Sequence, residues 1–302
     1  MLEKVLYILF LSFVKLMQIL PQKLRRAILL LFSKIVYLFA AKTNSIIKAN
    51  LKFVYKDISE DDIKKIQKYS YFNITLWILS LIENPIISDD ELKNSVEIEN
   101  LEIFEKLKSE NKPIILISAH FGNMEVLSSY LNRFITPIIQ VARESNFKQI
   151  DNYIVKSRER FGAKIIFRAG ALKHLYKALK RKEVISLIID QSINSNEGIE
   201  VDLLGKKCNQ TTSTAVFARK FDAYILPVAI FNQDDYKYKI KFYDYINPIN
   251  SDNYDDDIKQ LSQLQANVIS AIINEDKKQW FWPHKRFKTH NKEIYEKNFN
   301  NK

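Results

Sequence analysis

From Ile114 to Phe231, short apolar runs alternate with helical patterns, and no other feature of the chain limits its fold as strongly. The runs have the length and β-branched content of buried strands, and amphipathic helical segments lie between them. Because parallel strands need a crossover, usually a helix, this order predicts a layered α/β fold with a central, mostly parallel sheet flanked by helices. The predicted strands are Ile114–Ser118, Ile138–Val141, Lys164–Phe167, Val184–Ile189, Tyr224–Phe231 and Tyr238–Tyr245; the predicted helices between and after them include Lys148–Phe161, Leu172–Lys182, Thr212–Phe221 and Asp255–Asn274.

Two apolar segments precede this region, Val5–Leu20 and Ala27–Ala41, with Pro21 and a basic cluster between them. A bilayer span takes about 20 mostly apolar residues, and Lys15 interrupts the first segment. The segments are either two core helices or helices that associate with a membrane. Both are apolar around most of their circumference, which favours membrane association. We therefore predict N-terminal membrane-associating helices in residues 1–45 and a catalytic domain in residues 46–302.

The balance of charge indicates an anionic partner, since Lys and Arg number 46 against 35 Asp and Glu, a formal net charge of +11. Near the C-terminus, Trp280, Phe281, Trp282 and Phe287 alternate with basic residues. This mixture suits single-stranded nucleic acid or a membrane interface. Beside the apolar N-terminus we favour the membrane interface and expect no nucleic acid.

His120 carries the most informative chemistry, because it follows the buried strand Ile114–Ser118 at the end where ligands gather in such sheets. Glu125 comes five residues later. If His120 lies in the turn before a helix and Glu125 in that helix's first turn, the carboxylate can hold one imidazole nitrogen and raise the basicity of the other. We predict that His120 is a general base for a hydroxyl and that Glu125 orients it. The competing interpretation is a histidine that only forms hydrogen bonds at a strand end.

Other polar residues stand where strands end or on basic helices. Arg158 and Arg160 can recognise a phosphate or carboxylate, or lie on a solvated helix face. Asp190 ends an apolar strand at the same edge as His120, and Gln191 follows it. Asp190 can shape the pocket, or it can cap the turn after the strand.

Two further positions belong to the same group. Arg143 follows another strand, and Asn123 with Gly122 shapes the turn after His120, where a backbone N–H could stabilise an oxyanion. The single cysteine, Cys208, excludes an intrachain disulfide and a paired-cysteine metal site; no metal or cofactor is expected.

The segment ISAHFGNMEV resembles the motif of the glycerolipid acyltransferase superfamily, a histidine with an acidic residue five positions on. Further segments narrow the resemblance to the bacterial late lipid A acyltransferases. They are Gln140–Arg143 with Asn146, Asp151–Gly162 with Arg158 aligned to the family's functional arginine, Ala178–Lys180 through Asp190–Gln191, and Trp282 with His284–Thr289.

The resemblance implies an enzyme that transfers an acyl chain from an acyl carrier protein thioester to a hydroxyl of a phosphorylated glycolipid, a lipid A precursor in lipopolysaccharide biosynthesis. It implies a position at the cytoplasmic face of a bacterial inner membrane. The residues expected to act are His120, Glu125, Arg158 and Asp190 in catalysis, and Arg143, Asn123, Gln191 and Arg160 in substrate binding. Two alternatives stay open: an acyltransferase of the same fold for another glycolipid or a glycerophospholipid, and a non-catalytic binding protein.

Overall fold

The computed structural model describes residues 2–296 and has the α/β architecture that the sequence predicts. The strands are β1 (Val96–Glu99), β2 (Ile114–Ser118), β3 (Ile138–Ala142), β4 (Lys164–Phe167), β5 (Val184–Ile188), β6 (Gly198–Leu203), β7 (Lys206–Thr211), β8 (Tyr224–Asn232) and β9 (Tyr238–Phe242). The helices are α1 (Leu2–Ile19), α2 (Gln22–Phe39), α3 (Ala41–Val54), α4 (Glu60–Glu83), α5 (Asp89–Asn94), α6 (Leu101–Ser109), α7 (Met124–Tyr130), α8 (Lys148–Glu159), α9 (Ala171–Lys180), α10 (Ser213–Phe221), α11 (Tyr254–Glu275) and α12 (Glu293–Glu296).

The main sheet has the strand order β1-β9-β8-β2-β5-β3-β4, and its neighbours pair in parallel except β8 with β9. Strand β2 is buried throughout, because hydrophobic clusters cover both faces of the sheet. One cluster lies under α9, α10 and α11, and the other under α6 and α7. The apolar run Ile114–Ile117 of β2 thus reflects a parallel strand buried on both sides.

The predicted strands and helices of the α/β region are confirmed within a few residues at their ends. Strand β1 and the hairpin β6–β7 were not predicted from the sequence. Both contain charged residues and expose part of their surface, so they lack the apolar run that reveals a buried strand.

The register between β2 and β5 decides which residues meet at the carboxyl end of the sheet. Ser118 pairs with Ile188, in parallel. The residues two positions further along, His120 and Asp190, therefore leave the ends of neighbouring strands side by side. Strand spacing is about 4.8 Å, so their side chains come within contact of each other.

Helices α1 and α2 pack on α4 through a small apolar cluster that includes Val14, Met17 and Leu29. Arg25 is buried beside it and forms an ion pair with Glu83 of α4, Nε to Oε1 at 3.0 Å. The outer faces of both helices leave large apolar side chains exposed; these include Ile8, Leu9, Leu16, Ile19, Leu31, Phe32, Leu38 and Phe39.

Within residues 2–296, no helix combines the length and apolarity needed to cross a membrane. Membrane association of the N-terminal helices and the division of the chain at residue 45 both stay predictions.

Candidate active site

His120 and Asp190 form the centre of the site. Nδ1 of His120 lies 2.7 Å from Oδ1 of Asp190, and the backbone N–H of His120 donates to Oδ2 of the same carboxylate at 2.9 Å. Asp190 is almost completely buried, whereas the His120 side chain keeps 21 % of its surface exposed. The carboxylate therefore holds the imidazole from the protein side and leaves Nε2 on the accessible side.

The electrostatics of this pair suit a general base. Burial lowers the pKa of His120, but the negative charge of Asp190 and its hydrogen bond outweigh burial, so the pKa of the imidazole lies above its ordinary value. Burial raises the pKa of Asp190, while the charge of His120 and hydrogen bonds from His120 and Trp280 lower it to about 2. An ionised Asp190 selects the tautomer with the proton on Nδ1, and Nε2 then carries the lone pair.

Trp280 completes the surroundings of the carboxylate. Its indole N–H donates to Oδ2 of Asp190 at 2.7 Å, and its backbone forms an isolated bridge with Phe121, the residue after His120. The N–H of Phe281 donates to the carbonyl of His120 at 2.9 Å. The C-terminal segment thus positions both members of the His120–Asp190 pair.

Glu125 does not contact His120, so the predicted pairing of these two residues is wrong. Its carboxylate accepts two hydrogen bonds from Arg158, at 3.0 Å from Nε and 2.6 Å from Nη2, while Asp190 holds Nδ1 of His120. The physical reason lies in the sheet: the register of β2 with β5 brings Asp190 beside His120, and Glu125 on α7 turns towards α8.

The Glu125–Arg158 pair is itself well defined. Glu125 is buried, and Arg158 has 26 % of its side chain exposed. A fork of this kind fixes the plane of the guanidinium. Burial lowers the pKa of Arg158, but Glu125 raises it above its ordinary value, so the guanidinium stays charged.

The turn after His120 has little freedom. Gly122 has φ +55°, and a Cβ there would lie 1.9 Å from the carbonyl oxygen of Ile230, so only glycine fits. Asn123 is fully buried: its side chain accepts from the N–H of Val126 and donates to Ser80 and Tyr238. Asn123 therefore caps α7 from inside the protein, and the predicted substrate contact by its side chain does not fit this geometry.

Comparison with known proteins gives the family. The model of the family described as bacterial lipid A biosynthesis acyltransferase matches residues 1–289. This chain belongs to that family. It is therefore an acyltransferase, and its family acts in lipid A biosynthesis.

Individual relatives are distant but cover most of the chain. The lipid A biosynthesis palmitoleoyltransferase of Escherichia coli (strain K12) is 21 % identical over 253 residues, 83 % of this chain and 80 % of the relative. The lauroyltransferase of the same organism is 22 % identical over 258 residues, 85 % and 82 % of the two chains. A lipid A biosynthesis acyltransferase of Haemophilus influenzae is 20 % identical over 244 residues, 80 % and 75 %. Among solved structures, the 1-acyl-sn-glycerophosphate acyltransferase of Thermotoga maritima matches with a TM-score of 0.42 and 16 % identity, covering 84 % of this chain and 99 % of that one.

The other three residues predicted to bind substrate lie in different environments in the acyltransferase. The Gln191 side-chain nitrogen lies 3.2 Å from Nε2 of His120, so this amide stands on the accessible side of the base. Arg143 is exposed in the loop after β3. Arg160 points away from the His120–Asp190 pair: its guanidinium donates to the carbonyls of Asn84 and Ile87, which corrects the prediction that it binds substrate. These carbonyls lie at the C-cap of α4 and in the turn after it, where a cation is favoured.

The C-terminal aromatic segment of the acyltransferase is not a membrane surface. Trp280, Trp282 and Phe287 are each at most 3 % exposed, and this overturns the prediction that they lie at a membrane interface. Arg286 is buried as well and donates to the carbonyls of Gln191 and Asn209. The segment closes over the loop after β5 and over β7, because Arg286 satisfies a backbone carbonyl in each of them.

His284 also holds the loop after β5, but as a hydrogen-bond acceptor. Its Nε2 accepts the N–H of Ser192 at 2.9 Å. Burial lowers its pKa to about 4, with the charges of Arg286, His120 and Lys288 acting in the same direction and Asp190 opposing them. A neutral His284 is required, because only the neutral ring can accept this hydrogen bond.

The sequence analysis did not assign two residues beside the His120–Asp190 pair to the site. Trp77 of α4 donates to the carbonyl of Gly122 at 2.7 Å, and its ring lies 6.5 Å from that of His120. The ring of Phe281 lies 6.1 Å from that of His120 and packs against Trp77 at 5.4 Å. Trp280 is the second such residue; the sequence analysis assigned it to a membrane interface. A tryptophan within a helical pattern gives no local signal that it faces a distant turn.

Two backbone N–H groups in the turn after His120 are already hydrogen-bonded within the protein. The N–H of Phe121 donates to Ala119, and that of Gly122 donates to Gln279. These two donors are therefore engaged, and the predicted oxyanion contact at Gly122 does not fit the structure.

Proposed function

We propose that the protein transfers a fatty acyl chain from an acyl carrier protein thioester to a hydroxyl of a phosphorylated lipid A precursor. The observation that carries this proposal is the His120–Asp190 pair at the carboxyl end of β2 and β5, with Nε2 of His120 accessible. Membership in the lipid A acyltransferase family supports the reaction and the glycolipid acceptor.

In the proposed mechanism, neutral His120 keeps its proton on Nδ1, donated to ionised Asp190. Nε2 takes the proton from the acceptor hydroxyl as its oxygen forms a bond to the thioester carbonyl carbon. The tetrahedral intermediate collapses, the carbon–sulfur bond breaks, and the leaving thiolate takes the proton from Nε2. The products are the acylated lipid and the free carrier thiol; the base step accounts for on the order of 10²–10⁴ in rate.

Arg158 is assigned to the anionic groups of the reaction. Glu125 occupies Nε and Nη2, which leaves the Nη1 edge of the guanidinium to meet a lipid phosphate or the developing oxyanion. In this scheme Glu125 acts through Arg158 rather than through His120. Gln191 gives way to the acceptor hydroxyl at Nε2, because its side chain is exposed.

The exposed apolar faces of α1 and α2 support a location at the cytoplasmic face of the bacterial inner membrane. Helices of this kind lie in the interface with the apolar side towards the acyl chains. Of the basic residues between the two segments, the exposed Lys23 would face anionic headgroups, whereas Arg25 and Arg26 are held by Glu83.

A direct assay tests the proposal. Purified protein is mixed with acyl-carrier thioester and lipid A precursor, and the ester product is measured by mass spectrometry. We expect one added acyl chain, lost in His120→Ala, with circular dichroism used to check that this variant is folded. Absence of product from the wild-type protein, or an unchanged lipid A acyl count in a deletion strain, would contradict the assignment.

A further inference from the structure

We propose that α9 presents the docking surface for the acidic carrier protein that delivers the acyl thioester. The α9 surface consists of Lys173, Lys177 and Lys180 with the adjoining exposed apolar side chains of Leu172 and Tyr176. The inference rests on the proposed function, which supplies the carrier as donor.

The first argument is charge. Residues 171–182 contain Lys173, Lys177, Lys180, Arg181 and Lys182 and no Asp or Glu. The nearby Glu183 is occupied by Lys164 and Arg181. Within residues 2–296, no carboxylate forms an ion pair with the three lysines of α9. This helix therefore carries uncompensated positive charge towards solvent.

The second argument is the amphipathic packing of the helix, which determines the direction in which that charge points. Leu175, Ala178 and Leu179 are buried in the cluster on one face of the sheet. Beside the buried face Leu172 is 63 % exposed and Tyr176 is 39 % exposed, and the three lysines lie further round the helix, towards solvent. A small apolar centre flanked by cations is complementary to an amphipathic acidic helix.

Helix α10 extends the same surface. The ring of Tyr176 packs edge-on against Phe221 at 4.9 Å, and Nζ of Lys220 lies 4.9 Å from the centre of the Tyr176 ring. Lys220 thus adds a further cation beside the apolar centre. Because Tyr176 is held by these contacts, a partner finds it already in place.

The third argument is position. Helix α9 follows β4, so its N-terminus lies at the carboxyl edge of the sheet, the edge where His120 follows β2. Three strand spacings separate β4 from β2, or about 14 Å. The long prosthetic arm of a carrier protein spans this distance. The first turn of α9 has no acidic residue, so the helix dipole adds to the charge of Lys173 at this end.

The α9 surface is separate from the apolar N-terminal face. Helices α1 and α2 pack on α4, whereas α9 packs on β3, β4, β5 and α10. The lysines of α9 also lie beside only two exposed apolar side chains, which is little for insertion into a bilayer. We therefore assign the surface to the carrier protein rather than to lipid.

The test is the variant Lys173→Glu/Lys177→Glu, with Lys106→Glu/Lys108→Glu on α6 as its control. The control makes the same change in net charge on an exposed helix that connects β1 to β2, towards the other end of the sheet. We expect the Kd for acylated carrier protein and the KM for carrier-bound acyl groups to rise about tenfold in the α9 variant and to change little in the control. The salt dependence of carrier binding should weaken in the α9 variant alone.

Transfer from acyl-coenzyme A, a thioester without the carrier, should stay within about twofold of wild type in the α9 variant. Unchanged carrier affinity in this variant, or an equal loss in the control, would overturn the proposal. A loss of binding to anionic vesicles with unchanged carrier affinity would assign the surface to lipid instead. If the wild-type protein transfers from neither thioester, or uses coenzyme A thioesters without binding the carrier, the donor in the proposed function is wrong and the docking surface fails with it. If it transfers from the carrier thioester and the α9 variant binds the carrier as wild type does, only the docking surface fails.

Discussion

Nδ1 of His120 lies 2.7 Å from Oδ1 of Asp190, although 70 residues separate them along the chain. This contact links the ends of two neighbouring parallel strands and gives the imidazole its tautomer. Several consequences can be measured.

Asp190→Asn should move the acid limb of the pH–rate profile to lower pH. Asp190 raises the pKa of His120, and the base must be neutral to act, so the wild-type rate rises as pH increases through that elevated pKa. Without the carboxylate the pKa falls, and kcat also drops because the tautomer is no longer selected. The measurement is kcat/KM against pH, with Asp61→Asn on the exposed start of α4 as a control. A limb that stays in place would show that Asp190 does not set the basicity of His120.

Glu125→Gln should lower kcat/KM without shifting the acid limb of the pH–rate profile, because Glu125 contacts Arg158 and not the imidazole. The effects of Glu125→Gln and Arg158→Ala on kcat/KM should be strongly non-additive in the double variant, since each removes the same pair. Additive effects, together with a displaced limb in Glu125→Gln, would favour the pairing that the sequence predicted.

Trp280→Phe should reduce kcat by about 10- to 100-fold with KM nearly unchanged, because one hydrogen bond to a charged group is worth about 1.5–3 kcal/mol. The indole N–H holds Oδ2 of Asp190, and the phenyl ring keeps most of the packing. Steady-state kinetics and a thermal melt separate this effect from misfolding. A kcat equal to that of wild type would show that the indole hydrogen bond does not contribute.

His284→Gln should flatten the loss of stability that acid causes. The pKa of folded His284 is about 4 against an ordinary 6.5, so between these values only the unfolded chain binds the proton. Stability therefore falls as pH decreases through this window. Glutamine can still accept the N–H of Ser192 but does not titrate. The elevated pKa of His120 contributes with the opposite sign in both proteins, so it cancels in the comparison of their unfolding free energies. Parallel pH profiles for the two proteins would contradict the assignment.

Glu83→Ala should destabilise the protein by about 3 kcal/mol, since it leaves the buried Arg25 with the carbonyls of Met17 and Gln18 but without its carboxylate. Glu60→Ala is the matched control, because Glu60 forms exposed ion pairs with Lys48 and Lys52 and should change stability little. Chemical unfolding of the purified proteins measures both. Equal stabilities would show that Arg25 finds other partners when α2 moves.

The α/β alternation, the buried strand β2 and the position of His120 at its end are visible in the sequence, because each depends on local periodicity. The family resemblance was also readable from separate short segments. The residues 190 and 158 could be named as candidates, since each stands at a strand end or on a basic helix.

The tertiary structure decided which of these residues meet. Sequence spacing paired Glu125 with His120, but the register of β2 against β5 places Asp190 there, and Glu125 bonds Arg158. The C-terminal aromatic residues looked like a surface and instead pack over the loop after β5, with Trp280 on Asp190. Local patterns determine the elements; strand order and register, which join residues distant in sequence, determine the partners of each side chain.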